Sequence, residues 1–471
     1  MSPGTSPLRR LATSCAALLA LAALAPAARG QEVIAPLQDG VILGGVVPLE
    51  VDDAPAPPTV RLDGQAVAPA WVASPAGRRR WVAELPVGAP GAHTLELSLP
   101  GRRPLTRTFR SGLGSTEAGD LVAERLLTRD PTRLAWLWGP AVLLYGAQQY
   151  APTSPLRPRL VAFARAYQEH HARRGLPRID HPDRAAPALA ALSLWRLEGD
   201  PSGLPNAAHV ADWLRREPRN ALGALDHLGA DGWLQRLASW SRFLGLFTRH
   251  WAHSMWLDSL YMYALFAGQW GADQGEPALQ ELGLSQPGIF ARVLQDPRSG
   301  LMPHAWDHQH QRPLGEVWLR GNGWVAAALV DLLEVTPPAH PRRAELLAVL
   351  RALLDGLVPL QDPAGLWPTL LEEPSTYQES SGSALVAYAL AKAARLGWVD
   401  PALRERARRT FRSLTARLRP RPVGASVSGT SIETSAWPWA WAYRVTPRRD
   451  DVDWGVGAYL LLAGELAGES W

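Results

Sequence analysis

The chain has 471 residues, 47% hydrophobic and 20% charged, a length that suggests two or three domains and a composition suited to packed globular structure. Its 48 basic and 44 acidic residues nearly balance, so nothing in the charge favours nucleic acid as a partner. The one cysteine, Cys15, lies in a leading segment with the pattern of a signal peptide, so neither disulfide nor thiol chemistry is expected of the mature chain, and Lys392 is the only lysine, arginine carrying the rest of the positive charge.

Residues 1–30 have the pattern of a signal peptide: Arg9 and Arg10, an apolar stretch from Leu11 to Leu24, then small residues around Ala25, Ala27, Ala28 and Gly30. The mature protein is therefore expected to be exported, to the periplasm or the medium. The residues flanking the arginine pair fit a general secretory signal better than twin-arginine export. Removing Arg9, Arg10 and Arg29 lowers the formal charge from +4 to about +1. The apolar stretch is too short to cross a bilayer, and no later one reaches the roughly 20 residues a spanning helix needs.

From 31 to 112 the pattern is that of a small β-sandwich. Short runs rich in Val, Leu and Thr are punctuated by Asp39-Gly40, Asp63-Gly64, Pro75-Ala76-Gly77 and Pro90-Gly91, and Thr59 to Leu62, Arg80 to Leu85 and His93 to Leu99 alternate as half-buried strands do. Such a module is similar to the immunoglobulin-like domains that precede many exported bacterial enzymes. The run Arg78-Arg79-Arg80 is read as a solvated turn. Glycine and serine between Ser111 and Gly119 predict a linker, with residues 113–119 as its body.

The remainder, 120–471, has apolar positions at helical spacing in about a dozen stretches. Six of them begin with a short polar or aromatic cluster and continue apolar nearly all round: Trp138-Gly139-Pro140, Asp180-His181-Pro182-Asp183, Trp256-Leu257-Asp258, Arg320 to Trp324, Glu379-Ser380-Ser381 and Asp453-Trp454-Gly455. Helices apolar on every face belong in an interior, whereas those from Arg342 to Leu360 and Ala402 to Leu418 carry charge on one side. Six inner helices alternating with six outer ones predict a mainly α chain whose second domain is an (α/α)6 barrel. Alternate helices run the same way, which gathers the six clusters at one end, where the helix N-termini favour an anion.

Asp258, inside a greasy run, is the sharpest candidate. A buried carboxylate must find donors or raise its pKa and hold a proton, and a held proton is what a general acid requires. Its plainer role is to cap the helix that follows. Trp318 and Trp324, with Arg320 between them in a glycine-softened turn, suit a sugar acid, the indoles stacking on ring faces and the guanidinium gripping a carboxylate bidentately. His304, Asp307, His308 and His310 lack the helical spacing of zinc motifs, so neither a metal nor another cofactor is expected. Tryptophan is abundant, 21 against 9 Tyr and 7 Phe, most of it expected to fill the core.

On these residues the chain resembles, from about Trp138 to Glu465, the unsaturated uronyl hydrolases of glycoside hydrolase families 88 and 105. The matching stretches are Trp138 to Gly146, Trp256 to Met262, His304 to Asp307, Trp318 to Trp324, Tyr377 to Ala384 and Trp454 to Ala458. The resemblance implies an (α/α)6 barrel that removes a terminal Δ4,5-unsaturated uronic acid, left by a polysaccharide lyase, by hydrating its double bond. It assigns Asp258 as the acid that protonates C4, with Asp180 as the second carboxylate and Asp183 as the alternative. It places His304, Trp318, Arg320, Trp324 and Met262 at sugar-contacting positions. Between Asn220 and His250 the sequence departs from pectin-acting relatives, which leaves the neighbouring sugar open. Rival readings are another carbohydrate enzyme on the same barrel, an inverting glycosidase or a lyase, and a non-catalytic glycan-binding protein.

Overall fold

The computed structural model describes residues 32–36, 39–75, 79–230, 251–469 and 471. The expected signal peptide lies outside these residues, as does 231–250 within the divergent segment.

Nine strands form the N-terminal unit: β1 (Glu32–Ala35), β2 (Gly40–Leu43), β3 (Val46–Asp52), β4 (Thr59–Leu62), β5 (Gln65–Val67), β6 (Val72–Ser74), β7 (Arg80–Pro86), β8 (Gly91–Ser98) and β9 (Leu105–Leu113). They make a four-stranded sheet, β1-β3-β7-β6, and a five-stranded sheet, β2-β9-β8-β4-β5. Alternation puts Val47, Leu49 and Val51 of β3, Leu95 and Leu97 of β8 and Phe109 of β9 into one apolar core between them. Asp63 and Gly64 both have positive φ, 49° and 78°, and close the two-residue hairpin that pairs Leu62 with Gln65. That geometry is the primed turn an Asp-Gly pair favours.

No linker separates the units. The strand β9 runs through Leu113 and the first helix begins at Ser115, so the Gly/Ser stretch is a strand end and a helix start. Gly114 is the cap of that helix, and the Glu117 carboxylate accepts from Gly114 N at 2.7 Å. The sandwich packs on the helices through a buried charged cluster. Glu50 pairs with both Arg80 and Arg417, each of which also donates to Gln378 Oε1 at 3.0 Å, and Ser74 Oγ donates to Asp362 at 2.5 Å. Arg80 is thus buried, contrary to a solvated turn, because the first residue of β7 faces the helical unit. Burial pushes its guanidinium down to about 9 and that of Arg417 to about 10.

Twelve helices of ten residues or more follow among the described residues, with a short one at Ala440–Arg444 besides: α1 (Ser115–Leu126), α2 (Trp138–Tyr150), α3 (Arg157–Arg173), α4 (Pro187–Glu198, preceded by a single turn at Pro182–Ala185), α5 (Leu204–Arg216), α6 (Leu265–Gln274, entered through a π-helical turn at Leu260–Ala264), α7 (Pro277–Leu294), α8 (Leu319–Val335), α9 (Arg343–Leu357), α10 (Ser380–Arg395), α11 (Arg404–Ala416) and α12 (Asp453–Glu465). The even-numbered helices form a closed ring, each packed on the next and α12 back on α2, with the odd-numbered ones outside. Every residue of α8 from Leu319 to Leu333 is buried, as is every residue of α10 from Ser380 to Ala394. On α9 burial is confined to a stripe, Leu346, Val349, Leu350, Leu353, Leu354 and Leu357. The ring closes tightly because a Cβ at Gly146 would lie 2.1 Å from Gly457 O, so α12 meets α2 backbone to backbone. About three turns below the helix N-termini, Lys392 donates to Asp331 and Glu334, both at 2.7 Å, while Tyr145 and Tyr388 also donate to Asp331. Burial works against this ammonium, but the two carboxylates outweigh it and raise its pKa.

Candidate active site

All six predicted clusters sit at helix starts on one end of the ring. A small antiparallel sheet builds the site there: β10 (Ser254–Trp256), β11 (Ala305–Asp307) and β12 (Arg312–Leu314). Trp256 pairs with Ala305, and Leu257 N continues the ladder to His304 O at 3.0 Å, which sets Asp258 beside the His304 ring. No cap is formed by Asp258. Its carboxylate stands in the helix start just before the π-helical turn and turns to His304 instead, Oδ2 to Nε2 3.1 Å. Such turns recur where a helix is bent to serve a site.

The His304 ring is fully buried, and its Nδ1 is 2.8 Å from the Tyr443 hydroxyl. With Tyr443 donating to Nδ1, Nε2 carries the hydrogen that Asp258 accepts, which fixes both tautomer and ring angle. Burial pushes the Asp258 pKa up, but the hydrogen bond from His304 and then nearby positive charge, including Arg320, outweigh it and leave the pKa lowered. The expectation that Asp258 holds the proton in the free site is therefore not met.

Asp183 is the carboxyl that holds it. Burial, with the charges of Asp258 and Glu433 added, lifts its pKa to about 7 against an opposing pull from His181. His227 stands beside Asp183: its Nε2 is 3.7 Å from that carboxyl, its Nδ1 is 3.2 Å from Ser259 Oγ, and its ring stacks on Trp256 at 4.1 Å. Burial holds this imidazole down to about 3, so it is neutral and offers Asp183 no compensating charge. Asp180 faces elsewhere. It is tied to His181 Nδ1 at 2.6 Å and to Arg184 at 3.4 Å, and these partners overcome burial to lower its pKa. The geometry makes Asp180 the anchor of the turn that presents Asp183, not the carboxylate facing Asp258.

The expected sugar contacts divide similarly. Asp258 and Asp183 keep 15% and 22% of their side-chain surface open. Trp318, Trp324 and Met262 are fully buried, so they back the site and have no ring face or thioether to offer in this arrangement. Trp318 is covered by His304, 4.4 Å between centroids, and by the Arg320 guanidinium at 4.5 Å. All four terminal N–H groups of Arg320 are committed: Nη1 to Ser431 O at 3.0 Å and Oγ at 2.6 Å, Nη2 to Ile432 O at 3.0 Å and Thr434 Oγ1 at 3.3 Å. Glu379, which also caps α10 through Gly382 N, lies 3.6 Å from Nη1. Among the described residues only Nε lacks an acceptor, so a bidentate grip would require breaking existing bonds. Arg320 holds residues 431–434, and with them Glu433, at the site.

Residue-type reasoning had no handle on His227 or Tyr443. The first falls in the divergent segment, and the second reaches His304 from 139 positions away. The four residues weighed as metal ligands do not assemble, since His310 pairs with Asp307 at 2.7 Å and His304 with Asp258. Among the described residues one other group gathers: Asp226, His253 and His308 have donor atoms within 4.8 Å of one another, with His308 Nε2 at 2.9 Å from Asp226.

A closed helical ring that gathers two carboxylates of opposed proton affinity beneath an aromatic wall is the setting of a glycoside hydrolase. The chain belongs to glycosyl hydrolase family 88, whose model matches residues 122–468. The unsaturated rhamnogalacturonyl hydrolase YesR of Bacillus subtilis (strain 168) is 28% identical over 354 residues, 74% of this chain and 94% of that protein. Two solved structures share the fold. One, a possible member of the GH105 family from Salmonella enterica serovar Paratyphi A, is 23% identical with a TM-score of 0.64 over 75% of this chain and 94% of that one. The other, the unsaturated glucuronyl hydrolase of Bacillus sp. GL1, is 18% identical with a TM-score of 0.56 over 73% and 94%.

Proposed function

We propose that the protein removes a terminal Δ4,5-unsaturated uronic acid from lyase-generated oligosaccharides by hydrating the C4=C5 bond. The observation that carries this reading is the pair Asp258 and Asp183, one ionised and one protonated near neutrality, within a family 88 chain. The uronate carboxylate brings a second negative charge beside Asp258, and like charge raises proton affinity, so substrate binding arms Asp258 as the acid. Asp258 gives its proton to C4, positive charge develops at C5 and the ring oxygen, and water adds at C5 as Asp258 takes a proton back. The hemiketal opens and expels the remaining saccharide. Asp183, neutral, donates a hydrogen bond to the sugar without repelling it. Kinship with a rhamnogalacturonyl hydrolase along 94% of that protein's length supports the substrate class.

The same reading takes residues 1–30 as an export signal and the two-sheet unit as immunoglobulin-like, supported by the charged-then-apolar leader and by the sandwiched core. Asp258→Asn tests the chemistry. The conjugated alkene absorbs in the near ultraviolet and turnover removes that absorbance; the variant is expected to leave it unchanged while keeping the helical circular dichroism of the parent. Activity within about tenfold of the parent, a loss of only ~1.4 kcal/mol, refutes the assignment.

A further inference from the structure

At the end of the small sheet away from Asp258, the strand register sets two imidazoles side by side. Ser254 pairs with Asp307, and one step further His308 N donates to His253 O at 3.0 Å, so the two histidines face each other just beyond β10 and β11. On the other edge of β10, His227 N donates to Ser254 O at 2.9 Å, which lays the turn carrying Asp226 alongside. Asp226, His253 and His308 are each half-buried, and one ligand atom from each lies within 4.8 Å of the other two. His308 Nε2 is 2.9 Å from Asp226, and the two rings are 5.8 Å apart between centroids with planes at 77°, so they do not stack. A simple aspartate–histidine pair accounts for two of these residues and leaves the third unexplained. Among the described residues neither ring nitrogen of His253 has a hydrogen-bond partner, nor does the Oδ2 of Asp226, whose Oδ1 takes both of its contacts.

We propose that Asp226, His253 and His308 bind a divalent transition-metal ion, zinc foremost, which clasps together the three chain segments they come from. Two imidazoles and one carboxylate are a ligand set for zinc, with water completing the shell, whereas calcium and magnesium call for oxygen ligands. Bonds of about 2.0–2.1 Å place the ligand atoms of a tetrahedral ion about 3.3 Å apart. The His308–Asp226 edge therefore opens by a few tenths of an ångström, and the longer edges close by side-chain rotation on a backbone the ladder already fixes. The carboxylate is oriented in advance: Asn220 Nδ2 donates to Asp226 Oδ1 at 3.0 Å, while Asn220 Oδ1 accepts from Leu222 N at 3.0 Å and Ala224 N at 3.2 Å. Such an ion stands beside the catalytic carboxylates and not between them. His253 precedes Asp258 by five residues, His308 follows His304 by four, and Asp226 adjoins His227, the neighbour of Asp183. Its role is that of a structural clasp on the segments that carry His227, Asp258 and His304.

The test reads metal and not turnover, so its outcome is independent of the proposed hydrolase activity. The untagged chain is stripped with EDTA, dialysed, and titrated with zinc chloride by isothermal calorimetry. One ion per chain is expected, with affinity reduced more than about a hundredfold in His253→Ala and in His308→Ala, and about tenfold in Asn220→Ala, which loses only the group that orients the carboxylate. Zinc is also expected to raise the Tm of the parent and to leave that of both histidine variants where it was. Circular dichroism establishes that the variants are folded, and should an alanine variant fail to fold, His253→Gln and His308→Gln, closer in size, take its place. No binding by the parent, or calcium bound as tightly as zinc, overturns the proposal. So does a loss of less than about tenfold in the histidine variants, which assigns the ion to other histidines, such as the adjoining rings of His170 and His171.

Discussion

His304 stands between Tyr443 and Asp258, 2.8 Å from the hydroxyl of one and 3.1 Å from the carboxylate of the other, so a buried phenol on the short helix Ala440–Arg444 sets the state of the acid. Removing the hydroxyl frees the ring to change tautomer and leaves Asp258 without its donor. Tyr443→Phe is expected to lower kcat between about tenfold and a hundredfold with little change in KM, the usual cost of losing a group that orients a working histidine. Loss of absorbance with a saturating unsaturated disaccharide measures it, and an unchanged kcat removes Tyr443 from the relay.

Asp183 gives a pH dependence of definite sign. Its folded pKa, about 7, lies above the value of 3.8 expected of an unfolded aspartate, so the native state binds more protons between those limits and its stability falls as pH rises through that window. Asp183→Asn, which cannot ionise, is expected to melt at a higher temperature than the parent above pH 7 and to approach it near pH 4. Thermal unfolding across pH checks this, and a constant difference in Tm contradicts it. In the parent, kcat/KM on the unsaturated disaccharide declines as pH rises through about 7, because ionised Asp183 repels the uronate.

Arg320 and Glu379 form a buried pair whose guanidinium also holds four acceptors on Ser431, Ile432 and Thr434. Arg320→Ala leaves the Glu379 charge unpaired and releases residues 431–434, a loss of about 3–5 kcal/mol. Arg320→Lys recovers little of it, since an ammonium cannot reproduce the planar fork. Chemical denaturation reads both variants, and a lysine variant as stable as the parent shows that charge alone suffices.

Glu50 between Arg80 and Arg417 makes the same argument for the contact between sandwich and helices. Glu50→Ala leaves two buried guanidiniums facing each other and is expected to destabilise by about 3–5 kcal/mol. Replacing all three residues by apolar ones of similar size restores most of that loss. A triple variant no more stable than the single one, measured by denaturation, refutes the repulsion.

The helical ring was legible because burial on every side leaves a plain imprint: α8 and α10 have no polar stripe, whereas α9 and α11 do. The six clusters were legible for a related reason, since polar groups beginning an otherwise apolar helix have only its open end to occupy. What escaped the sequence depends on direction. A carboxylate at 180 and another at 183 differ by one turn of chain, and only His181 and Arg184 decide which is turned away. Indoles at 318 and 324 look alike whether they line a pocket or back it, and the covering groups, His304 and Arg320, reach Trp318 through tertiary packing. Arg80 sits in a run of arginines that looks solvated until Glu50 of β3 and Gln378 of the helical unit meet it, and the Gly/Ser stretch near residue 114 has the composition of a tether but the geometry of a cap.

The lone lysine has a practical corollary. Its amine is held protonated by Asp331 and Glu334 deep in the ring, well away from the helix ends that gather the carboxylates. Acylating reagents such as activated esters meet no reactive side-chain amine on this surface, so dye, biotin or resin attached through them lands on the leading α-amino group alone. No side chain at the catalytic face is acylated, because the one lysine is not there.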